Sequence, residues 1–187
     1  MKKPIDVYGY ASGNAAADSR CCMGPITMQG SPSIQDLSAL QWKTHILPTS
    51  AATQLEAIDV VEKACRKLAQ HTQSSCQAKR HFTVIGGDHS AAIGTWSGVA
   101  SAKNGPLGML WIDAHLDSHT PESSISKNIH GMALACLLGQ GDKRLTSILG
   151  PEPKLDPRHV VILGARDFES AELGLLKDMG VTVITMD

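Results

Sequence analysis

The 187-residue sequence predicts an α/β fold, three layers deep, with a mainly parallel sheet between helices. Short β-branched runs alternate with longer stretches of helical periodicity, the pattern of repeated strand–helix units. Two of those runs end in clusters of Gly, Asp and His, where parallel sheets carry their ligands. Composition agrees: 42% of residues are hydrophobic and 19% charged, with no biased tract, so one sizeable core can form.

Ile5–Tyr10 reads as the first strand, and residues 44–47 as a short second one stopped by Pro48. From about 53 to 70, Leu55, Ile58, Val61, Cys65 and Leu68 fall on one helical face with charges opposite. A third strand over 82–85 is punctuated by Gly86-Gly87 and followed by a helix over 90–101. Strands over 107–112 and 160–163 lead into helices over 130–138 and 169–179. Residues 181–185 begin a sixth strand, and no closing helix follows before Asp187. With no internal repeat and no linker, residues 1–187 read as a single domain that is incomplete, stopping where another unit is expected.

Charge and cysteine usage narrow the function classes. Seventeen basic against 18 acidic residues leave a net charge of −1, so neither nucleic acid nor an anionic membrane is favoured as a partner. Lys2-Lys3 is too short a basic run to matter. Residues 5–13 lack an apolar signal-peptide core, and no apolar run approaches the roughly 20 residues needed to cross a bilayer. Five cysteines (Cys21, Cys22, Cys65, Cys76, Cys136), without C-x-x-C spacing, argue against a disulfide framework and against a thiolate zinc site. A reduced, cytoplasmic protein is the expectation.

The candidate chemistry sits in Gly86-Gly87-Asp88-His89 and in Asp113-Ala114-His115-Leu116-Asp117. The i, i+2, i+4 spacing of Asp113, His115 and Asp117 sends three side chains to one side if the backbone stays extended. Three ionisable groups crowded at a strand end are costly without a partner, and a divalent cation compensates them. Carboxylate and imidazole ligands without cysteine suit manganese, iron or zinc. One carboxylate between two histidines can bridge two metals, the arrangement that activates water. Alone, an Asp-x-His after a strand is an ordinary turn with a capped helix; both clusters together after buried strands are far more specific.

These motifs, with Gly24-Pro25, Ser90, Asn128-Ile129-His130-Gly131 and Gly164-Ala165-Arg166-Asp167, resemble the ureohydrolase superfamily, and its arginases in particular, along essentially the whole chain. The resemblance implies an arginase/deacetylase-like αβα sheet in the order 2-1-3-8-7-4-5-6, of which this chain supplies strands 1 to 6 and lacks the last ones. It implies two Mn2+ per complete site, with His89 and Asp117 on one, His115 on the other and Asp113 bridging. It implies manganese-dependent hydrolysis of the guanidinium group of L-arginine to ornithine and urea. His130 matches the proton-shuttle histidine, although by itself it is a residue at a helix start. Ser126 and Asn128, with Ser124 and His119 lining the same loop, match positions that hold the α-carboxylate; unaided, that stretch is a polar loop. Glu169 and Glu172 match positions facing the α-amino group, and read equally as helix N-terminal acids. A small guanidino substrate and a homo-oligomer are the partners implied.

The sequence departs from the family at several places. His119 stands where animal arginases carry asparagine, Lys127 where glycine is common, Ala133 where proline is usual, and Glu169 where aspartate is typical. The family's later Asp-x-Asp pair has no counterpart here, since Asp187 stands alone, so the first metal keeps three protein ligands and the second two. Without the two intervening strands, the clusters after strands 3 and 4 are expected to flank a gap of roughly 15 Å, at about 4.8 Å per strand. An arginase-like chain with little or no activity is therefore expected. The alternatives are another ureohydrolase, acting on agmatine or guanidinobutyrate, and a non-catalytic arginase-like fragment. Single-metal deacetylases fit the His115 and His130 context poorly.

Overall fold

The computed structural model describes residues 3–103 and 105–186. In chain order the elements are β1 (Ile5–Tyr10), α1 (Gly24–Gly30), α2 (Pro32–Gln35), β2 (Leu40–Ile46), α3 (Gln54–Gln77), β3 (His81–Gly86) and α4 (Ala91–Ala102). They continue with β4 (Met109–Ile112), α5 (Ala133–Leu137), α6 (Lys143–Thr146), β5 (Val160–Ala165), α7 (Ser170–Met179) and β6 (Thr182–Thr185). All strand pairs are parallel, in two three-stranded sheets ordered β2-β1-β3 and β4-β5-β6. Among the described residues no ladder joins β3 to β4, so the strand order expected from the resemblance appears with its interior open.

The central strand β1 is buried at every position from Asp6 to Tyr10, as a strand covered on both faces must be. Its one acid, Asp6, is held by Arg80 Nε at 2.8 Å, Lys43 Nζ at 3.3 Å and the Ser75 hydroxyl at 3.1 Å. The edge strand β2 begins four residues earlier than the expected 44–47, because the polar, exposed Gln41 and Lys43 alternate along it and mask its extended pattern. One hydrophobic core runs through both sheets, from Tyr8 and Tyr10 to Trp111 and Ile162. The far face of the second sheet is less covered: Leu110, Ile112, Leu163 and Ile184 are exposed.

The long helix α3 starts where Thr53 caps it, its hydroxyl accepting the Glu56 N–H at 3.2 Å. Val61, Cys65 and Leu68 are fully buried on its inner face, whereas Leu55 is 68% exposed and lies outside the core. The helix outruns its expected end near residue 70 because its last turns bury polar side chains. The Thr72 hydroxyl donates to the Thr95 carbonyl at 3.1 Å, and Ser75 serves Asp6. The expected helix over 130–138 resolves into a 3-10 turn (Ile129–Met132) followed by the short α5. Among the described residues no helix is long and apolar enough to cross a membrane.

Helix α4 packs directly against α3. A Cβ on Gly94 would come within 2.6 Å of the Cys65 carbonyl, and one on Gly98 would overlap the Ala69 carbonyl and the Thr72 hydroxyl. This backbone-to-backbone approach fixes the start of α4, and with it the loop that carries His89. It also gives a clean test. In a free helix Gly→Ala gains about 1 kcal/mol, whereas overlap with rigid backbone costs about 1–3 kcal/mol or more. Gly98→Ala is expected to lower the urea unfolding midpoint; an increase would contradict the close packing.

Candidate metal centre

The candidate site forms where the loop after β3 meets the loop after β4. The β3 loop is a continuation of the β1–β3 pairing: the Gly87 N–H donates to Tyr10 O at 2.8 Å and the Asp88 N–H to Ser12 O at 2.9 Å. Gly87 is required there, since a Cβ would press on the carbonyls of Ser12 and Cys21. The β4 loop starts in register, with the Asp113 N–H donating to Leu163 O at 3.1 Å, and then turns. The chain bends at Ala114 and His115, and Asp117 adopts a left-handed conformation (φ 46°). The fully buried Leu116 anchors the turn. The Asp117 carbonyl accepts the Leu134 and Ala135 N–H groups at 2.9 and 3.3 Å, tying the loop to the start of α5.

This bend corrects the extended-backbone argument. His89, Asp113 and Asp117 gather with one donor atom each inside a 4.8 Å cluster, while His115 stays outside that group. The His89 Nδ1 lies 2.5 Å from Asp117 Oδ2 and 3.3 Å from Asp113 Oδ2. His115 faces the other oxygen of the same carboxylate, its Nδ1 3.3 Å from Asp113 Oδ1, and its Nε2 lies 3.7 Å from Asp167. Asp113 thus stands between two imidazoles. The expected gap is corrected too: strands 3 and 4 are unpaired, yet their loops reach across the opening and bring the two clusters into contact.

The residues present fit a divalent cation. Asp117 Oδ2 is buried and makes no hydrogen bond: its 2.5 Å approach to His89 lacks hydrogen-bond geometry. A buried carboxylate oxygen without a donor is costly, and a cation beside it removes that cost. The donor set, two carboxylates and one imidazole, is that of manganese, iron or zinc. Burial pushes the His89 imidazole down, but its contact with Asp117, together with Asp113 and Asp88, outweighs this and raises its pKa above the ordinary value.

The remaining predicted residues lie on the segment that follows Asp117 and at the start of α7, and none of them belongs to the three-residue group. His119 is buried, with Nδ1 3.1 Å from the Ser123 hydroxyl and Nε2 3.6 and 3.5 Å from Glu169 and Glu172. Glu172 is also buried in a capping box at the start of α7, accepting the N–H groups of Glu169 at 3.0 Å and Ser118 at 3.2 Å. Ser124 is buried and accepts the Lys127 N–H at 3.0 Å; Ser126 is exposed and accepts the Asn128 N–H at 3.3 Å. Asn128 and Ser126 border a groove shared with Gly13, Asn14 and Ser50. His130 is half-buried, anchored through its N–H to Ala15 O at 3.1 Å.

Sequence reasoning missed three participants. Trp111 is a core residue whose ring lies 4.8 Å from that of His89, and its buried indole N–H is unpartnered. The signal was present, since Trp111 and Asp113 are two apart at a strand end and share a side. Asp88, quoted within its motif and given no role, is buried. Asp167 faces His115 from the end of β5.

Fold and site together define a parallel α/β protein with a carboxylate–imidazole centre, suited to a divalent cation, at the carboxyl ends of its strands. The arginase family model matches residues 6–187, and the chain belongs to the arginase family. It is 36% identical to the arginase of Bacillus caldovelox over 98% of its own length and 65% of that relative's. The solved structure of that enzyme superposes with a TM-score of 0.89, over 99% of this chain and 65% of that one. An Entamoeba histolytica arginase solved in complex with L-ornithine is 28% identical, with a TM-score of 0.87 over 99% of this chain and 66% of that one. The chain spans 65% of the length of the Bacillus caldovelox and Bacillus subtilis arginases.

The raised His89 pKa fixes the sign of two pH effects. The His89–Asp117 pair contributes stability that is fully present below the unfolded imidazole value and lost as pH rises through the higher folded one. Metal binding runs the other way, because the imidazole must lose its proton. Relative to a His89→Gln variant, the metal-free chain should lose urea resistance from about pH 6.5 upward. Over the same interval Mn2+ affinity, read by calorimetry, should climb. A stability difference that does not change with pH would show that the ion pair is absent.

Proposed function

We propose that this chain belongs to a manganese-dependent arginase, hydrolysing the guanidinium group of L-arginine to ornithine and urea. The observation that carries the reading is the meeting of His89 with Asp113 and Asp117 from two sheets that share no ladder. Only a ligand common to both loops gives those groups a reason to converge. We read residues 1–187 as one arginase-like unit.

His89 and Asp117 would hold one Mn2+ and His115 the second, with Asp113, which faces both imidazoles, between them. Bound there, the cations supply Lewis acidity that makes a water reactive at neutral pH. The rest falls to the chain's own side chains. His130 is placed to hand a proton to the departing amine, a task suited to an imidazole near neutral pH. Ser124, Ser126, Asn128 and His119 would receive the α-carboxylate and Glu169 the α-amino group. Glu172 supports Glu169 from behind, since its carboxylate already serves two backbone N–H groups.

The ligand class follows the Entamoeba relative, which was solved with L-ornithine. Cytoplasmic placement and assembly into a homo-oligomer are carried over with the family; five unpaired thiols suit a reducing compartment.

A second reading, a non-catalytic arginase-like chain, is favoured by the ligand count: three residues form the metal group, and His115, which faces Asp113 and Asp167, lies outside it. Low or absent urea release by the isolated chain with Mn2+ is accordingly expected, and robust turnover would remove this reading.

Ligand binding separates arginase from agmatine-type relatives regardless of turnover. L-ornithine should bind the Mn2+-loaded chain roughly tenfold more tightly than a ligand lacking the carboxylate, and Asn128→Ala should erase most of that difference. Equal affinity for agmatine in calorimetry would overturn the arginine assignment.

A further inference from the structure

The geometry points to Asp88 as a positioning residue that links the metal-gripping loop at His89 to the segment bearing His130; it rests on the roles proposed above for those two histidines.

Asp88 is 6% exposed and lies outside the metal group formed by its neighbour. Both of its oxygens are spent on the protein. Oδ1 accepts the Ser90 N–H at 3.0 Å and, more closely, the Ser90 hydroxyl. Oδ2 accepts the Ala15 N–H at 3.3 Å. Ala15, itself buried, uses its carbonyl to accept the His130 N–H at 3.1 Å. A single residue therefore separates the Asp88 carboxylate from the backbone of His130. The relay crosses the opening between the two sheets: Asp88 and Ala15 follow β3 and β1, whereas His130 follows β4.

The Ser90 side of the relay is rigid. Its hydroxyl lies 2.9 Å from the Tyr10 hydroxyl, which is 3.5 Å from Cys65 Sγ, and the Cys65 thiol donates to Ser90 O at 3.3 Å. Tyr10, Cys65 and Ser90 are fully buried on β1, α3 and the lead into α4. The carboxylate is thus fixed on one side to a packed polar cluster and on the other to Ala15.

Chemistry explains why the residue is an acid. Two backbone N–H groups and one hydroxyl converge on it, and a carboxylate can accept from all of them. An asparagine would turn its NH2 against at least one donor, and a buried donor left without an acceptor is costly. The start of α4, three residues on, favours the negative charge. Asp88 acts on both histidines through backbone, holding the Ser90 N–H next to His89 and, by way of Ala15, the N–H of His130.

The test is amide hydrogen exchange on the 15N-labelled metal-free chain, with rates normalised to a remote core amide such as that of Ile162. Asp88→Asn should raise exchange at both Ala15 and His130 about tenfold or more. It should also weaken Mn2+ binding roughly ten- to a hundredfold. Ser90→Ala loses the hydroxyl but keeps both backbone donors on Asp88, so it should lower stability without exposing the His130 amide. Unchanged His130 protection in Asp88→Asn, or an equal effect from Ser90→Ala, overturns the proposal. Should Asp88→Asn not fold, the unsubstituted chain decides: Ala15 or His130 amides exchanging without protection overturn the relay. Failure of the unsubstituted chain to bind Mn2+ would sink the functional reading while leaving the exchange result to judge the linkage.

Discussion

Everything at this site depends on three ionisable side chains being drawn together across an opening that no backbone ladder closes. His89 comes from the sheet β2-β1-β3, Asp113 and Asp117 from the end of β4, and the two sheets are unpaired. Bringing two carboxylates this close costs desolvation and repulsion. One imidazole at 2.5 and 3.3 Å offsets that cost only in part, and leaves a buried Asp117 oxygen without a donor. A cation placed among these groups would remove that cost.

What holds the groups in place is ordinary packing placed well. The approach of α4 to α3 at Gly94 and Gly98 sets the start of α4, and so how far the His89 loop projects. On the other side, the buried Leu116 and the bonds from Asp117 O to the start of α5 prevent the second loop from relaxing away. Trp111 closes the contact from below, its ring against that of His89. Each loop is thus fixed by its own half of the core, and the repulsion between carboxylates is borne by the folded scaffold rather than released by movement.

The fold was largely legible because buried parallel strands write themselves as uninterrupted β-branched runs, as in 82–85 and 160–163. Legibility failed where burial is polar or one-sided. Thr72 and Ser75 extend α3 without adding to its apolar stripe, and the alternating polar face of β2 hides half its length. Leu55 obeys helical spacing yet lies exposed, since periodicity shows which face is apolar and not what covers it. At the site, residue types in the two clusters identified the candidate ligands, but spacing misjudged their geometry. A bend at Ala114 and His115 and the left-handed Asp117 replace the extended run, and His115 departs from the group as a result. Strand spacing likewise overstated the separation of the clusters, because loops beyond the strand ends are free to lean inward.

Acidic side chains dominate the charge of this region. Asp113, Asp117, Asp167, Glu169 and Glu172 pair with His89, His115 and His119, and Asp88 adds its charge at His89. The acids are not interchangeable. Asp88 and Glu172 are buried and each accepts two backbone N–H groups, so their effect is to hold loops in place. Asp113 and Asp117 keep unspent lone pairs directed at His89, and those are the ones that can bind a cation. Glu169 and Asp167 are open to solvent at the rim, where a cationic molecule would first meet the site. The negative charge is thus graded from structural acids through metal-facing acids to solvent-facing ones.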